Sequence, residues 1–433
     1  MADWIEMSFG DLTENFDSHR VPVKESNRES GPYPYYGASG IVDYVSDYIF
    51  EGEYLLIAED GENLRSRRTP FAFLADGRFW VNNHAHIVRG NSLADTKFLL
   101  YALLNTDISG FLTGSTIPKL TQGNMNRIPI LTPSLHEQRA IAGFLGNLDK
   151  NIEINRQMNQ TLESFARAIF KSWFIGFDPV RAKMQGRKPL GMDAETAALF
   201  PDSFEDSEIG KIPKGWKVGE VKDFYTIRGG TTPKTDTAEF WGGSHPFATP
   251  KDMASLRSSV LLRTERMISD EGLSRIGSGL IPKGSFLLSS RAPIGYLAIS
   301  ENRVAINQGI IAAIPNCWLS SRYLLSWCAA NMSTIEAAAN GTTFLEISKS
   351  SFKKLRLIAP PENIGRKYDA TVSAFYEKII ANAKENETLS EIRDLLLPKL
   401  TSGQIRLDRE SAFNSMTHIQ TRRLDDHEQN EDS

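Results

Sequence analysis

The sequence predicts an α+β protein in which two similar mixed α/β domains alternate with two long helices, the helices forming an antiparallel coiled-coil pair under an internal pseudo-two-fold repeat. Three observations predict it. GSTIPKLTQGNMNRIPILTP from Gly114 lines up with GTTFLEISKSSFKKLRLIAP from Gly341 at an offset of 227, so that Pro133 falls on Pro360, and a long-period repeat of this kind is the first thing to seek. Downstream, an apolar seam at alternating spacings of four and three runs through Ile141, Leu145, Leu148, Ile152, Asn155, Asn159, Leu162, Ala166, Ile169 and Trp173, the a/d pattern of packed helices. The same offset carries it without a gap onto Tyr368, Val372, Phe375, Ile379, Asn382, Asn386, Leu389, Arg393, Leu396 and Leu400.

Taken in order, residues 1–133 read as a first domain. EYLLIAED, like FLLSS, YLAIS and GIIAAIP further along the chain, reads as a strand, and TKFLLYALLN as a helix. Residues 134–175 read as the first long helix, opened by a capping box of Ser134 and Glu137 after Pro133 and followed by Gly176. Residues 176–208, punctuated by Gly and Pro and by FPDSFEDSEIG, read as a connector. Residues 209–361 repeat the domain: WKVGEVKDF answers WIEMSFGDL, SHPFATPKDM answers YPYYGASGIVD, GSFLLSSRAPIG from Gly284 answers GEYLLIAEDG from Gly52, and AINQGIIAA answers WVNNHAHIV. Residues 362–403 form the second long helix, and 404–433 an acidic, flexible tail.

The recurrent asparagines explain themselves if the two helices pack on one another. Amides in an apolar seam weaken it but penalise a slipped register. The second domain begins where one helix ends and finishes where the other starts, so the second helix is expected to return alongside the first, with the first domain at the opposite end. Duplex DNA, with a turn of about 34 Å, is a ligand that offers two sites at fixed separation.

Composition is ordinary, with 41% hydrophobic and 24% charged residues, and the formal net charge is −4. The final DDHEQNEDS holds five acids; without it the chain has 49 basic against 48 acidic residues, which leaves nucleic acid open as a partner. No apolar run reaches the 18 or so residues of a membrane span, and the N-terminus is no secretory signal. Cys317 and Cys328 are expected as buried thiols in a reducing cytoplasm.

Catalytic chemistry is scarcely visible. An adenine methyltransferase [DN]PP[YF] motif and a GxxxxGK[ST] loop are both absent from the sequence. A PD…(D/E)xK nuclease pattern at Pro201 and Asp202 fails because Glu208 and Lys211 are one residue too far apart. His84 and His86 would share a strand face but lack further ligands at convincing spacing, so no metal is assigned.

Binding residues are easier to nominate. Gly229–Gly243 offers Thr231, Thr232 and Lys234 for phosphates; the glycine turns carrying Ser115 and Thr116 before Lys119, and Thr342 and Thr343 before Lys349, are further phosphate anchors. Lys353 and Lys354 form a basic run with Arg356. Arg291, Asn307 and Gln308 suit base edges, since guanidinium pairs with guanine and amides with adenine; the first domain supplies Arg65, Arg67, Asn82 and Asn83 in the matching region. Solvated loops and tight turns are the structural alternative for each. Phe144, Ile154, Met158, Phe165 and Phe170 exceed what a two-helix seam needs and are expected to meet a protein partner, or, near the helix ends, the chain's own domains.

IGKIPKGWKVGEV at 209–221, FDPVRAKMQGRKPLGMDAETAALFPDSF at 177–204, and a domain ending in GTT then LRLIAPP resemble the specificity (HsdS) subunit of type I restriction-modification enzymes. The resemblance implies two target recognition domains reading a bipartite, asymmetric DNA sequence, with the helices fixing the gap. It implies no catalysis by this chain, docking to two methylation subunits and to restriction subunits, and S-adenosylmethionine, ATP and Mg2+ bound by those partners rather than here. MADWIEMSF lacks the IPxGW form, a departure at the start of the first domain. A non-catalytic scaffold joining two proteins without DNA is the competing expectation.

Overall fold

The structure, a computed structural model, describes residues 4–291, 293–341 and 345–407. It divides into two compact units, one holding the residues up to Asn151 with those from Thr388 on, the other Ile152–Glu387. Thr342, Thr343 and the tail from residue 408 lie outside the described residues.

In the first unit a four-stranded sheet runs in the order Thr13–Asn15, Ala85–Gly90, Tyr54–Ala58, Ala72–Ala75, antiparallel throughout. The central strand YLLIA is apolar at every position because both its faces are covered. Leu55 and Ile57 join the helix Thr96–Asn105 and seam residues Ile141, Leu145 and Leu400 in one core. Tyr54 and Leu56 join Phe50, Phe79 and Ile87 in another. A second sheet, Gly40–Val45, Ser30–Gly37, Arg78–Val81, Phe50–Glu51, contains a parallel pairing of Ser30–Gly37 with Arg78–Val81. Ile5–Ser8 pairs with Pro129–Thr132, so the entry and exit of the domain are stitched together.

The second unit repeats this plan with one strand more in the first sheet and one fewer in the second. Its sheet runs Tyr225–Gly229, Ile310–Pro315, Phe286–Ser290, Ile294–Ser300, with Val260–Leu261 added at the edge. Phe286 and Leu288 face one core and Leu287 another. The second sheet again contains a parallel pairing, of Trp241–Ala248 with Ala305–Ile306, and Lys217–Glu220 pairs with Arg356–Ala359. The repeat therefore survives in topology where sequence offsets drift. Residues 176–208, expected as a connector, form the helices Asp178–Met184 and Ala194–Leu199 and the strand Phe204–Ser207, which pairs with Gly210–Pro213. Phe177, Val180 and Phe200 from this stretch, and Ile212 of the paired strand, are buried with Trp173 and Trp216, so the punctuated, charged sequence conceals anchors of the second core.

The long helices are Leu135–Phe170, continued by a wider turn over Lys171–Ile175, and Glu362–Thr401. All twenty seam positions are buried or half-buried. In the second unit the helices are antiparallel and the amides meet: Asn382 Nδ2 donates to Asn159 Oδ1 at 2.8 Å, and Asn155 Nδ2 donates to Asn386 Oδ1 at 3.1 Å and to Glu385 Oε2 at 3.2 Å. An offset of 227 converts one Asn pair into the other, which is the pseudo-two-fold in its local form. In the first unit the seam position Arg393 donates to Asp149 at 2.9 Å, and Asp149 also accepts from the Tyr101 hydroxyl at 2.7 Å. Burial and the Asp149 carboxylate push the Tyr101 phenol far above its ordinary range.

Candidate nucleic-acid interface

At one end of the central strand in each unit, loops converge on a corner whose backbone is the same in both. In the first, Glu59 N donates to His84 O (2.9 Å), Leu120 N to Glu59 O (2.8 Å) and Asn82 N to Tyr36 O (3.0 Å). In the second, Ser290 N donates to Gly309 O (2.8 Å), Ile347 N to Ser290 O (3.0 Å) and Asn307 N to Ala248 O (3.0 Å). Asp60 then bridges to Lys119 as Arg291 bridges to Glu346, and Thr113 to Lys119 as Asn340 to Glu346. These bonds make Asp60 the counterpart of Arg291 and Lys119 that of Glu346. The alignment of Gly52 with Gly284 is therefore shifted by one residue here, because strand pairing sets the register and glycine matching does not.

Asn82 and Asn307 play identical parts: each side-chain oxygen accepts a backbone N–H two residues on, from His84 and Gly309, both at 2.8 Å. These amides close their turns and present Asn83 and Gln308, exposed, one step further out. Ser115, Thr116 and Lys119 are exposed on the adjoining loop. Gly114 has φ +87° there, and a Cβ would stand 2.2 Å from Ile117 O, so only glycine fits the turn. Lys119 Nζ lies 3.2 Å from Glu59 Oε1, which also accepts, through Oε2, from Arg20 at 3.1 Å.

Thr231 and Lys234 are exposed and Thr232 is half-buried, its hydroxyl oxygen without a hydrogen-bond partner. Their loop is pressed onto the corner: a Cβ on Gly230 would stand 2.0 Å from Asn307 O. Lys349 begins the short helix Lys349–Lys353 and is exposed beside Gly229. Lys353, half-buried, and Lys354, exposed, lie at the far end of that helix, where Leu355 O accepts from Val221 N. Arg65 is exposed, 3.7 Å from Glu62. Arg67 is occupied structurally: its guanidinium donates to Leu104 O (2.8 Å) and Thr106 O (2.6 Å), closing the C-terminus of the helix Thr96–Asn105.

The two histidines part company. His86 is buried, its ring nitrogens against Asp17 Oδ2 (2.6 Å) and Leu120 O (2.8 Å), while exposed His84 holds its Nδ1 3.0 Å from both oxygens of Asp60. Burial pushes the Asp17 carboxyl up, but the hydrogen bond and charge of His86, the Ile87 N–H and Arg20 together hold it below its ordinary value. Of the apolar helix residues, Ile154, Met158 and Phe165 are exposed, Phe144 is half-buried in the first core, and Phe170 is a core residue, packed edge-on to Tyr323 and Tyr368. Phe170 is thus claimed by the chain's own second domain, because the helix end is already inside that core.

Ile41, Val42 and Tyr44, unnoticed in the sequence, are exposed on the edge strand Gly40–Val45. The turn before it, Ala38 and Ser39 between paired Gly37 and Gly40, is two residues long. In the second unit the equivalent strands are joined by a long connection carrying the helix Pro250–Ala254. A glycine-flanked two-residue loop was the available signal.

Residues 1–164 and 213–391 match the model of the Type I restriction modification DNA specificity domain family. The chain belongs to this family. It is 28% identical to the type I restriction enzyme HindI specificity subunit of Haemophilus influenzae, across 94% of this chain and all of that one. It is 38% identical to the MjaIX specificity subunit of Methanocaldococcus jannaschii over 44% of each. The crystal structure of a type I restriction-modification S subunit from M. genitalium shares the fold, with a TM-score of 0.59 and 16% identity over 92% of this chain and 96% of that one. As a specificity subunit of this family the chain is non-catalytic. Among the described residues no helix is long and apolar enough to cross a membrane. Both cysteines are free thiols, and burial pushes that of Cys328 well up.

Proposed function

We propose that this specificity subunit recognises duplex DNA at a bipartite, asymmetric target, one domain for each part, and docks methylation and restriction subunits that hold S-adenosylmethionine, ATP and Mg2+. The observation that carries the reading is the corner built twice on the same backbone with different side chains. A shared scaffold with divergent loops is what two related readers of unlike sequences require. Ser115, Thr116, Lys119, Thr231, Lys234 and Lys349 serve as phosphate contacts. Asn83, Gln308 and Arg291 serve as base readers, with Asn82 and Asn307 holding the turns that present the two amides. Exposed Ile154, Met158 and Phe165 supply the apolar face for a methylation subunit.

The test is a mobility-shift titration of the subunit assembled with its methylation subunits, across a range of salt. Phosphate neutralisation predicts log affinity falling linearly with log salt, by about 0.9 per phosphate neutralised. An assembly that forms fully yet binds no duplex at any salt would leave the protein-scaffold reading in its place.

A further inference from the structure

We propose that the two domains read opposite members of a G·C pair through one equivalent position, Arg291 of the second domain taking a guanine and Asp60 of the first taking a cytosine. This rests on the DNA-recognition reading above and specifies its chemistry.

The equivalence is set by the backbone: the residue before each, Glu59 or Ser290, makes the same two strand-end bonds, and each of the pair bridges to a residue on the following loop. At both ends of that bridge the charge is reversed. Asp60 pairs through its backbone with Lys119, whose ammonium lies against Glu59, and Arg291 pairs through its backbone with Glu346, which its guanidinium also approaches. Solvated decoration would not be expected to invert at two coupled positions while the hydrogen-bond frame stays unchanged to a few tenths of an ångström.

Each group is also built to be presented. Asp60 is one-third exposed and its two carboxylate oxygens are both 3.0 Å from His84 Nδ1, which orients the carboxylate from the turn that carries Asn83. Arg291 is 37% exposed, and its Nη1 is 3.7 Å from Glu346, a loose tether with no hydrogen bond of ordinary length. A guanidinium held by charge but not locked can turn its fork outward. Arginine donates two parallel hydrogen bonds to guanine O6 and N7, while a carboxylate accepts from the cytosine N4 amine. An arginine at the position of Asp60, or an aspartate at that of Arg291, would set like chemistry against the wrong base edge. One fold thereby yields two unlike half-sites.

The experiment uses the subunit in complex with its methylation subunits and a library of duplexes with both half-sites randomised, the bound fraction being sequenced. Wild type is expected to select a guanine in one half and a cytosine in the other. Arg291→Gln should reduce preference for that guanine roughly five- to a hundred-fold, the range for one bidentate base contact, leaving every other position unchanged; Asp60→Asn should relax the cytosine alone. Arg291→Lys separates the roles: it preserves a phosphate contact but loses the fork, so it too should relax the guanine. Uniform weakening across all sequences in Arg291→Gln, with full recovery in Arg291→Lys, would overturn the proposal and make Arg291 a phosphate contact. An unchanged motif in both variants would likewise overturn it. If wild type selects no motif at all, the DNA-recognition reading falls as well, so the two failures are distinct. Unfolding midpoints of the variants, expected within error of wild type, exclude a folding defect as the cause.

Discussion

The buried amide pair Asn159–Asn382 offers a quantitative test of how the helix seam is held. Asn382 is wholly buried and Asn159 is 2% exposed. Asn382 Nδ2 donates to Asn159 Oδ1 at 2.8 Å, Asn159 Nδ2 reaches Ile379 O at 3.4 Å, and Asn382 Oδ1 has no partner. Asn159→Leu leaves both polar atoms of Asn382 buried and unpaired. Asn382→Leu leaves only Asn159 Oδ1 orphaned, because Asn159 keeps its bond to Ile379. Each orphaned group costs about 1–3 kcal/mol, partly offset by the leucine buried, so Asn159→Leu should be the more damaging single change. The double substitution removes every orphan, including the one wild type carries, and should stabilise the second unit by about 1–4 kcal/mol, as replacing buried polar groups by apolar ones often does. Asn159→Leu and the double should therefore differ in sign, with Asn382→Leu, which exchanges one orphan for another, lying between them. Urea unfolding of the full chain, read by far-UV circular dichroism and tryptophan fluorescence, gives the four corners of the cycle. A double effect equal to the sum of the singles within about 0.5 kcal/mol would show that the two amides are not coupled, and the account of the seam would be wrong. Asn155 and Asn386 remain in the double variant, so the register itself should persist; removing all four should loosen it, seen as faster amide exchange along both helices.

Phe170→Ala should cost about 3–5 kcal/mol, the usual loss for a fully buried phenylalanine, whereas Phe165→Ala, at a position 54% exposed, should leave unfolding within about 0.5 kcal/mol while weakening capture of a methylation subunit in pull-down. The depressed Asp17 carboxyl contributes stability that is fully present above the ordinary value of 3.8 and is lost as pH falls through the lower folded value. Acid unfolding of the first unit should accordingly lose its steepest limb in Asp17→Asn, measured by circular dichroism from pH 5 to 2. Lys119→Gln and Lys349→Gln should each reduce the salt slope of DNA binding by about 0.9 with no change in the selected motif; a changed motif would move that lysine from phosphate to base contact.

The helices were almost entirely legible. A heptad-like seam is a local property, and a 227-residue copy of it repeats each chemical choice, so Asn155, Asn159, Asn382 and Asn386 could be placed at the contact before any fold was seen. The core strands YLLIA and FLLSS were legible for the same reason, since burial on both faces leaves a continuous apolar run. The stretch 176–208 was not: its anchors Phe177, Val180 and Phe200 are single apolar residues among Gly, Pro and charge, and nothing in their spacing says that Trp173 and Trp216 wait for them. Phe170, near a helix end, meets the own-domain alternative and lies in the second core, because periodicity shows that a helix face is apolar but not which body covers it.

At the candidate interface the sequence could name residue types but not their state. Arg67 looked like a base reader by composition, yet its guanidinium is committed to two carbonyls at a helix end. Asn82 and Asn307 close turns through their side-chain oxygens, with Asn83 and Gln308 exposed beside them. Repetition, period and buried apolar runs were determined by the sequence alone, because each depends only on neighbours along the chain. The one-residue register that sets Asp60 opposite Arg291 was decided only in three dimensions, because it depends on which backbone groups pair across strands distant in sequence, and those pairings do not depend on the identity of the side chains they carry.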